Sequence, residues 1–166
     1  MIAKLIVEGK EFDIEILDPK LQELVAPKKK TGYERVNIGQ TFYSVRADGT
    51  VFEPIENHGI THDLYYSIAN YYSSAEVAED NARADELMHQ LRRFAAEHNT
   101  TRWDSESKKY LIYYDYYYKA LNISFGGSGH RVYGSIYFDH MDDAKLAIET
   151  FRDELIWYFT EYKDSL

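Results

Sequence analysis

Six histidines, His58, His62, His89, His98, His130 and His140, are the residues here best suited to move protons or hold a metal. None falls in an HExxH arrangement, and no pair sits at i and i+4 on a helix with a third carboxylate. His58, His62 and Asp63 share one loop, and His140 precedes Asp142 and Asp143. A metal site would have to be drawn from one of these two sets, but histidine in an acidic surface loop is the commoner arrangement, and no metal or other cofactor is expected. There is no cysteine, which removes thiolate nucleophiles, thiolate ligands and disulfides. No serine lies in a GxSxG turn. The glycine loop FGGSGHR, Phe125 to Arg131, lacks the GK[ST] ending of a phosphate loop and leads into a strand, so it reads as a hairpin connection. Asp142 and Asp143 are helix neighbours whose side chains diverge by about 100°. Asp139 could converge with Asp143, but it is better placed as a helix N-cap. Catalysis is not expected.

The most unusual feature is aromatic. Tyr110, Tyr113, Tyr114, Tyr116, Tyr117 and Tyr118 fall within nine positions of a chain that holds sixteen tyrosines. On a hairpin, alternate residues face opposite sides, so one set can pack across strands while the other meets solvent. An exposed tyrosine offers large contact area at small entropic cost, which suits a partner-binding anchor. Tyr113, Tyr116, Tyr117 and Tyr118 are the candidates.

The net charge is −9. Residues 1–30 hold six basic and six acidic side chains, residues 31–100 five against eleven, and residues 101–166 eight against eleven. Nucleic-acid affinity rests mainly on lysine and arginine against phosphates, so direct nucleic-acid binding is not expected. An acidic surface suits a basic protein partner. The candidate contacts are Glu76, Glu79, Asp80, Asp85 and Glu86 on one helix, and Asp142, Asp143, Glu149 and Asp153 on another.

These residues must be positioned by regular elements. Leu5–Val7 and Phe12–Ile16 read as strands about Glu8-Gly9-Lys10, an N-terminal hairpin. Pro19, a helical turn LQELV, Pro27 and Lys28 to Lys30 follow as a solvated linker. Thr41–Ala47 and Thr50–Pro54 flank Asp48-Gly49, the signature of a type I′ turn. Leu64–Tyr72 reads as a third strand, or a strand with a short helical turn. Ser73 and Glu76 then form a capping box ahead of a helix reaching His98. That helix carries Val77, Asn81, Ala84, Met88, Leu91 and Ala95 on one side, with Leu87 and Phe94 flanking. After a polar loop around Trp103, Tyr110–Tyr114, Ala120–Phe125 and Arg131–Phe138 read as strands. A closing helix from Asp139 aligns Met141, Ala144, Ile148, Phe151, Leu155, Tyr158 and Tyr162.

Aligned at an offset of 66 residues, Tyr71-Tyr72 and Ala78 match Tyr137-Phe138 and Ala144. The expectation is an α+β fold: a hairpin over 1–30, then two β-β-β-α units over 31–100 and 101–166, an internal repeat in which antiparallel sheets are each covered by a long helix. The units pack as one compact domain. No apolar run approaches the roughly 18–20 residues of a membrane span, and MIAKLIVEGKEFDIEI alternates like strands rather than a signal peptide. A cytoplasmic protein is expected.

The strings TGYERVNIGQTFYSVRADGTVFEPI, IANYYSSAEVAED and GSIYFDHMDDAKLAIETFRDELIWYFTEY resemble small accessory proteins carried by phages and prophages of Gram-positive bacteria. The similarity spans about residues 31–164. It implies an anti-defence role in the bacterial host, of the kind that inhibitors of CRISPR nucleases perform by binding and blocking a nucleic-acid groove. A basic defence protein, most concretely a CRISPR effector, is then the partner. Two alternatives remain open. One is a sponge for a nucleotide immune signal, held by His130, Arg131 and the tyrosines, in a homodimer interface. The other is a small nucleic-acid-binding module.

Overall fold

The computed structural model describes residues 2–7, 10–19, 30–101, 108–126 and 134–162. It divides into two compact units, Met1–Thr31 and Gly32–Leu166. In the first, β1 (Ile2–Val7) and β2 (Lys10–Glu15) pair antiparallel with Val7 opposite Lys10. This is the expected hairpin with longer strands. Glu8, Gly9, the LQELV turn and Lys28-Lys29 lie outside the described residues.

The second unit is α+β. A short hairpin, β3 (Ser44–Val45) and β4 (Val51–Phe52), is followed by α1 (Ile60–Ser67) and the 24-residue α2 (Ala75–His98). Next come β5 (Lys109–Asp115), β6 (Ala120–Gly126) and β7 (Tyr137–Phe138), then α3 (Met141–Thr150) and α4 (Arg152–Thr160). The sheet order is β6-β5-β7, antiparallel throughout, with Tyr110 opposite both Phe125 and Phe138. No helix among the described residues is long and apolar enough to cross a membrane.

The core gathers Leu87, Leu91 and Ala95 of α2, Phe138 of β7, Ala144, Ala147 and Ile148 of α3, and Leu155 of α4. Tyr110, Ile112, Leu121 and Ile123 close it from the sheet. Asn81 is the polar residue on the inward stripe of α2. Its Oδ1 accepts the Tyr33 hydroxyl at 3.1 Å and the Tyr162 hydroxyl at 3.0 Å, which satisfies this half-buried group. One helix serves both halves: α2 packs on β3 and β4, and also on β7, α3 and α4.

Several expectations are corrected. The third strand expected over Leu64–Tyr72, alone or with a short helical turn, is helix α1 as far as Ser67, and of that stretch only Tyr72 bridges to Tyr43. The inner side of α1 explains this: His62 meets Phe42 at 4.9 Å and Tyr65 meets Phe52 at 5.8 Å, so tertiary aromatic packing overrides β propensity. The Asp48-Gly49 turn is not type I′. Arg46 N–H donates to Thr50 O, Gly49 N–H to Arg46 O, and only Gly49 of the pair has positive φ (+83°). That is a type I turn closed by a glycine bulge. Ser73 forms no capping box: Ser74 is the N-cap, without a side-chain bond, and Ser73 Oγ donates to Glu34. The closing helix is two, broken at Phe151, whose ring meets Phe94 edge-on at 5.8 Å. Met141, placed inward by periodicity, is exposed in the first turn of α3.

The end of α1 is strained. Ala69 sits at φ +59°, with Ala69 N–H on Tyr66 O and Asn70 N–H on Tyr65 O, a Schellman stop holding alanine where glycine is preferred. It delivers Asn70, whose amide bonds both the N–H and the C=O of Val45 at 2.8 Å and stands in for a missing strand residue. Ala69→Gly should stabilise the protein by about 0.5–1 kcal/mol, read as a raised midpoint in urea unfolding with unchanged slope.

Candidate functional site

The tripeptide Glu34-Arg35-Val36 and its neighbours organise the first polar cluster. Gly32, at φ +91°, lies so close to α2 that a Cβ would fall 2.6 Å from Val77 Cγ2. Its carbonyl accepts the Ser73 N–H at 2.7 Å, and its N–H reaches Glu34 at 3.0 Å. Arg35 then extends to Glu56, a carboxylate that is fully buried. Glu56 Oε1 accepts from Arg35 Nη2 (3.3 Å) and the His58 N–H (2.6 Å); Oε2 accepts from Arg35 Nε (3.3 Å) and the Tyr71 hydroxyl (2.6 Å). His62 Nδ1 stands 3.3 Å from Oε1. His58 takes φ +53° to aim its N–H inward. Arg35 also holds Asp63 at 2.6 Å.

Burial alone would raise the Glu56 pKa, but the Tyr71 hydroxyl, Arg35, the His58 N–H and His62 outweigh it and hold it down at about 2. Burial and the Glu56 bond push the Tyr71 phenol up to about 12. The Tyr71 ring stacks on Phe42 at 4.1 Å. Both Glu56 oxygens are engaged by donors, so the group is a held anion rather than a free base. Of His58, His62 and Asp63, the set the sequence offers as metal ligands, the His62 ring faces Glu56 and the Asp63 carboxylate is held by Arg35, while His58 contributes its backbone N–H to Glu56.

A second buried carboxylate corrects the reading of Asp139. It is not the cap of α3, which is His140 with no side-chain cap bond. Asp139 pairs with buried Lys109 and accepts the N–H groups of Thr100 and Thr101, each at 2.7 Å. Burial opposes its charge, yet Lys109 and the Thr101 and Thr100 donors hold its pKa well below the usual carboxylate range. Asn99 completes the junction, its amide bonding Tyr137 O and Asp139 N–H at 2.8 Å each.

The tyrosines divide by location. Tyr110 packs against the core and meets Phe125 edge-on at 6.0 Å, and half-buried Tyr114 stacks on Phe159 at 6.2 Å. Tyr113 is partly exposed on the other face. Tyr116, Tyr117 and Tyr118 fall in the turn between β5 and β6 rather than in a strand, and are 69%, 86% and 73% exposed. Asp115 Oδ1 accepts the N–H groups of Tyr117 and Tyr118 at 2.9 Å each, which fixes the turn. The Tyr116 hydroxyl donates to Phe159 O at 2.6 Å and ties the tip to α4. Tyr117 and Tyr118 meet edge-on at 4.8 Å.

The acidic candidates are spread over three helices. Glu76, Glu79, Asp85 and Glu86 are exposed on α2 and Asp80 is half-buried. Asp142 and Glu149 are exposed on α3, Asp143 is half-buried there, and Asp153 is exposed on α4. Part of this charge is answered internally: Lys145 bonds Asp142 at 2.8 Å, and Arg83 bonds Glu154 twice, at 2.7 and 2.9 Å, while covering the Trp157 ring. His130 and Arg131 lie outside the described residues.

Glu56→Gln should destabilise the fold by about 2 kcal/mol, because the Tyr71 hydroxyl, the His58 N–H and Arg35 lose a charged acceptor and the Gln amide sets its own N–H groups against those donors. The lowered pKa fixes the pH dependence. The contribution of Glu56 is complete above its ordinary pKa of 4.5 and is lost as pH falls toward about 2. Urea midpoints across that window should therefore converge between wild type and Glu56→Gln as pH falls.

No family model, curated protein or solved structure matches the chain.

Proposed function

We propose that this chain is a non-enzymatic protein-binding module whose anchor is the aromatic tip Tyr116–Tyr118. The observation that supports it most directly is the exposure of three adjacent tyrosines on a turn fixed by Asp115 and by the Tyr116–Phe159 bond. Large aromatic side chains held out in water at a fixed geometry favour anchoring contacts, since little ordering is left to be done on binding. The net charge of −9 and the exposed carboxylates of α2, α3 and α4 favour a basic partner surface. The resemblance to phage accessory proteins supports a narrower form: inhibition of a bacterial antiviral nuclease, most concretely a CRISPR effector, in the host cytoplasm. The same reading takes the two aromatic-pair junctions as copies of one ancestral unit. In each, an uncapped N-terminal residue (Ser74 or His140) precedes a fully buried alanine (Ala78 or Ala144).

A nucleotide sponge has less support. A cavity of about 300 Å³ in the second unit is lined mainly by apolar side chains such as Leu87, Leu91, Ile112, Phe138 and Leu155, with the hydroxyls of Ser135 and Tyr158 and, among the described residues, no lysine or arginine to meet a phosphate.

The test is a pull-down from nuclease-treated bacterial lysate with wild type and with Tyr117→Ser/Tyr118→Ser. The double variant should retain its melting temperature and lose at least about tenfold in partner recovery. Charge reversal at Glu76 and Glu79 should weaken the same capture and flatten its salt dependence. Equal recovery by all three proteins would discard the reading.

A further inference from the structure

The three-stranded sheet comes apart at one edge, and the gap opens onto the core. β7 is two residues long and pairs with β5 only at Tyr110 and Leu111. Beyond that point Ile136 and Ser135 no longer ladder with β5, and Gly134 turns the chain at φ +79°. The cavity of about 300 Å³ lies there, walled by Leu111 and Ile112 on one side, residues 134–136 on the other, and α2 and α4. Leu87, Leu91, Phe138 and Leu155 are at most 5% exposed and make its deep part. Met88, Ile112, Ile136 and Phe159 are half-buried and lie toward its mouth. Protein interiors close-pack and keep few voids larger than a water, so a space of this size against core side chains calls for an occupant.

We propose that this cavity binds a small neutral aromatic molecule of about two fused rings carrying one hydroxyl. Charge is excluded by the lining. It contains no Lys, Arg, His, Asp or Glu, so an ionised ligand would lose its water and gain no counter-charge. Volume sets the size. An apolar cavity of about 150 Å³ takes one benzene ring, and this one is about twice as large. Phe138, Tyr158 and Phe159 offer ring edges and faces, and Met88 a polarisable sulfur, which suits an aromatic ligand better than a flexible chain. The Tyr158 ring is already held, stacked on Tyr162 at 5.3 Å and edge-on to Phe159 at 5.5 Å, so this wall needs little ordering on binding. Ser135 supplies the polar contact. It lines the cavity and makes no side-chain hydrogen bond among the described residues. One hydroxyl in an otherwise apolar lining fixes a ligand's orientation.

Methyl NMR of the full chain at neutral pH, titrated with 2-naphthol to about 1 mM, tests this. The methyl groups of Leu87, Met88, Leu91, Ile112 and Ile136 should shift saturably, with a dissociation constant on the order of 0.1 mM. 2-Naphthoate, the same rings with a carboxylate, should bind at least about tenfold more weakly. Ser135→Ala should weaken 2-naphthol about fivefold and leave naphthalene unchanged. Met88→Trp, which grows from the half-buried rim into the cavity, should abolish binding of both and keep the melting temperature. If that variant does not fold, the naphthoate comparison and Ser135→Ala decide. Tyr117→Ser/Tyr118→Ser should bind 2-naphthol as wild type does, which separates this inference from the role of the tip. Absence of saturable shifts, equal binding of 2-naphthoate, an unchanged preference for 2-naphthol over naphthalene in Ser135→Ala, or shifts centred on Tyr116–Tyr118 would each overturn the proposal.

Discussion

A carboxylate taken out of water must find donors for its lone pairs or give up its charge, and two carboxylates here do the former. Glu56 draws in Arg35 from 21 positions upstream and the Tyr71 hydroxyl from 15 positions downstream, beside the His58 N–H two positions away. Asp139 does the same for the end of α2, the start of β5 and the approach to α3. Each acts as a knot in a region of little regular structure. The strands β3, β4 and β7 are two residues long, so main-chain ladders alone supply few of the long-range bonds. Directional bonds to a fixed charge replace them.

The long helix α2 makes these two knots parts of one body. Its first turns lie against Gly32 and the small hairpin, while its later turns form the floor under the three-stranded sheet. Two asparagines extend the economy of strand pairing. Asn70 and Asn99 each present a side-chain amide to a strand backbone, supplying a donor and an acceptor where a further strand residue would stand. The aromatic tip depends on this frame indirectly, since its anchor is a carbonyl near the end of α4.

Periodicity carried the parts of the fold in which neighbours along the chain share a face. The α+β class, β5, β6, the span of α2 and the inward alanines Ala78 and Ala144 all follow from it. It failed at α1, where Leu64-Tyr65-Tyr66 looks like strand composition and the spacing Ile60-Leu64-Ile68 describes an outer face. The exposed tyrosines were visible in composition, although their turn rather than strand location was not. Glu56 was invisible. Its partners Arg35 and Tyr71 are separated by loops, and a glutamate between Pro54 and Gly59 gives no pattern from which burial could be read. Asp139 was noticed and misassigned, since a carboxylate just ahead of a helix looks like a cap unless Lys109, thirty positions upstream, is known to face it.

Tyr33 and Tyr162 stand near opposite ends of the second unit, yet their hydroxyls converge on the one Asn81 oxygen. The chain from 33 to 162 is thus closed on itself through a side chain, as a belt is closed by a buckle. Neighbouring ends make such a unit suited to circular permutation, with a short peptide joining the old ends and new ones opened elsewhere. Tension applied at those ends would load the Gly32–Ser73 main-chain bond together with the two Tyr–Asn81 bonds.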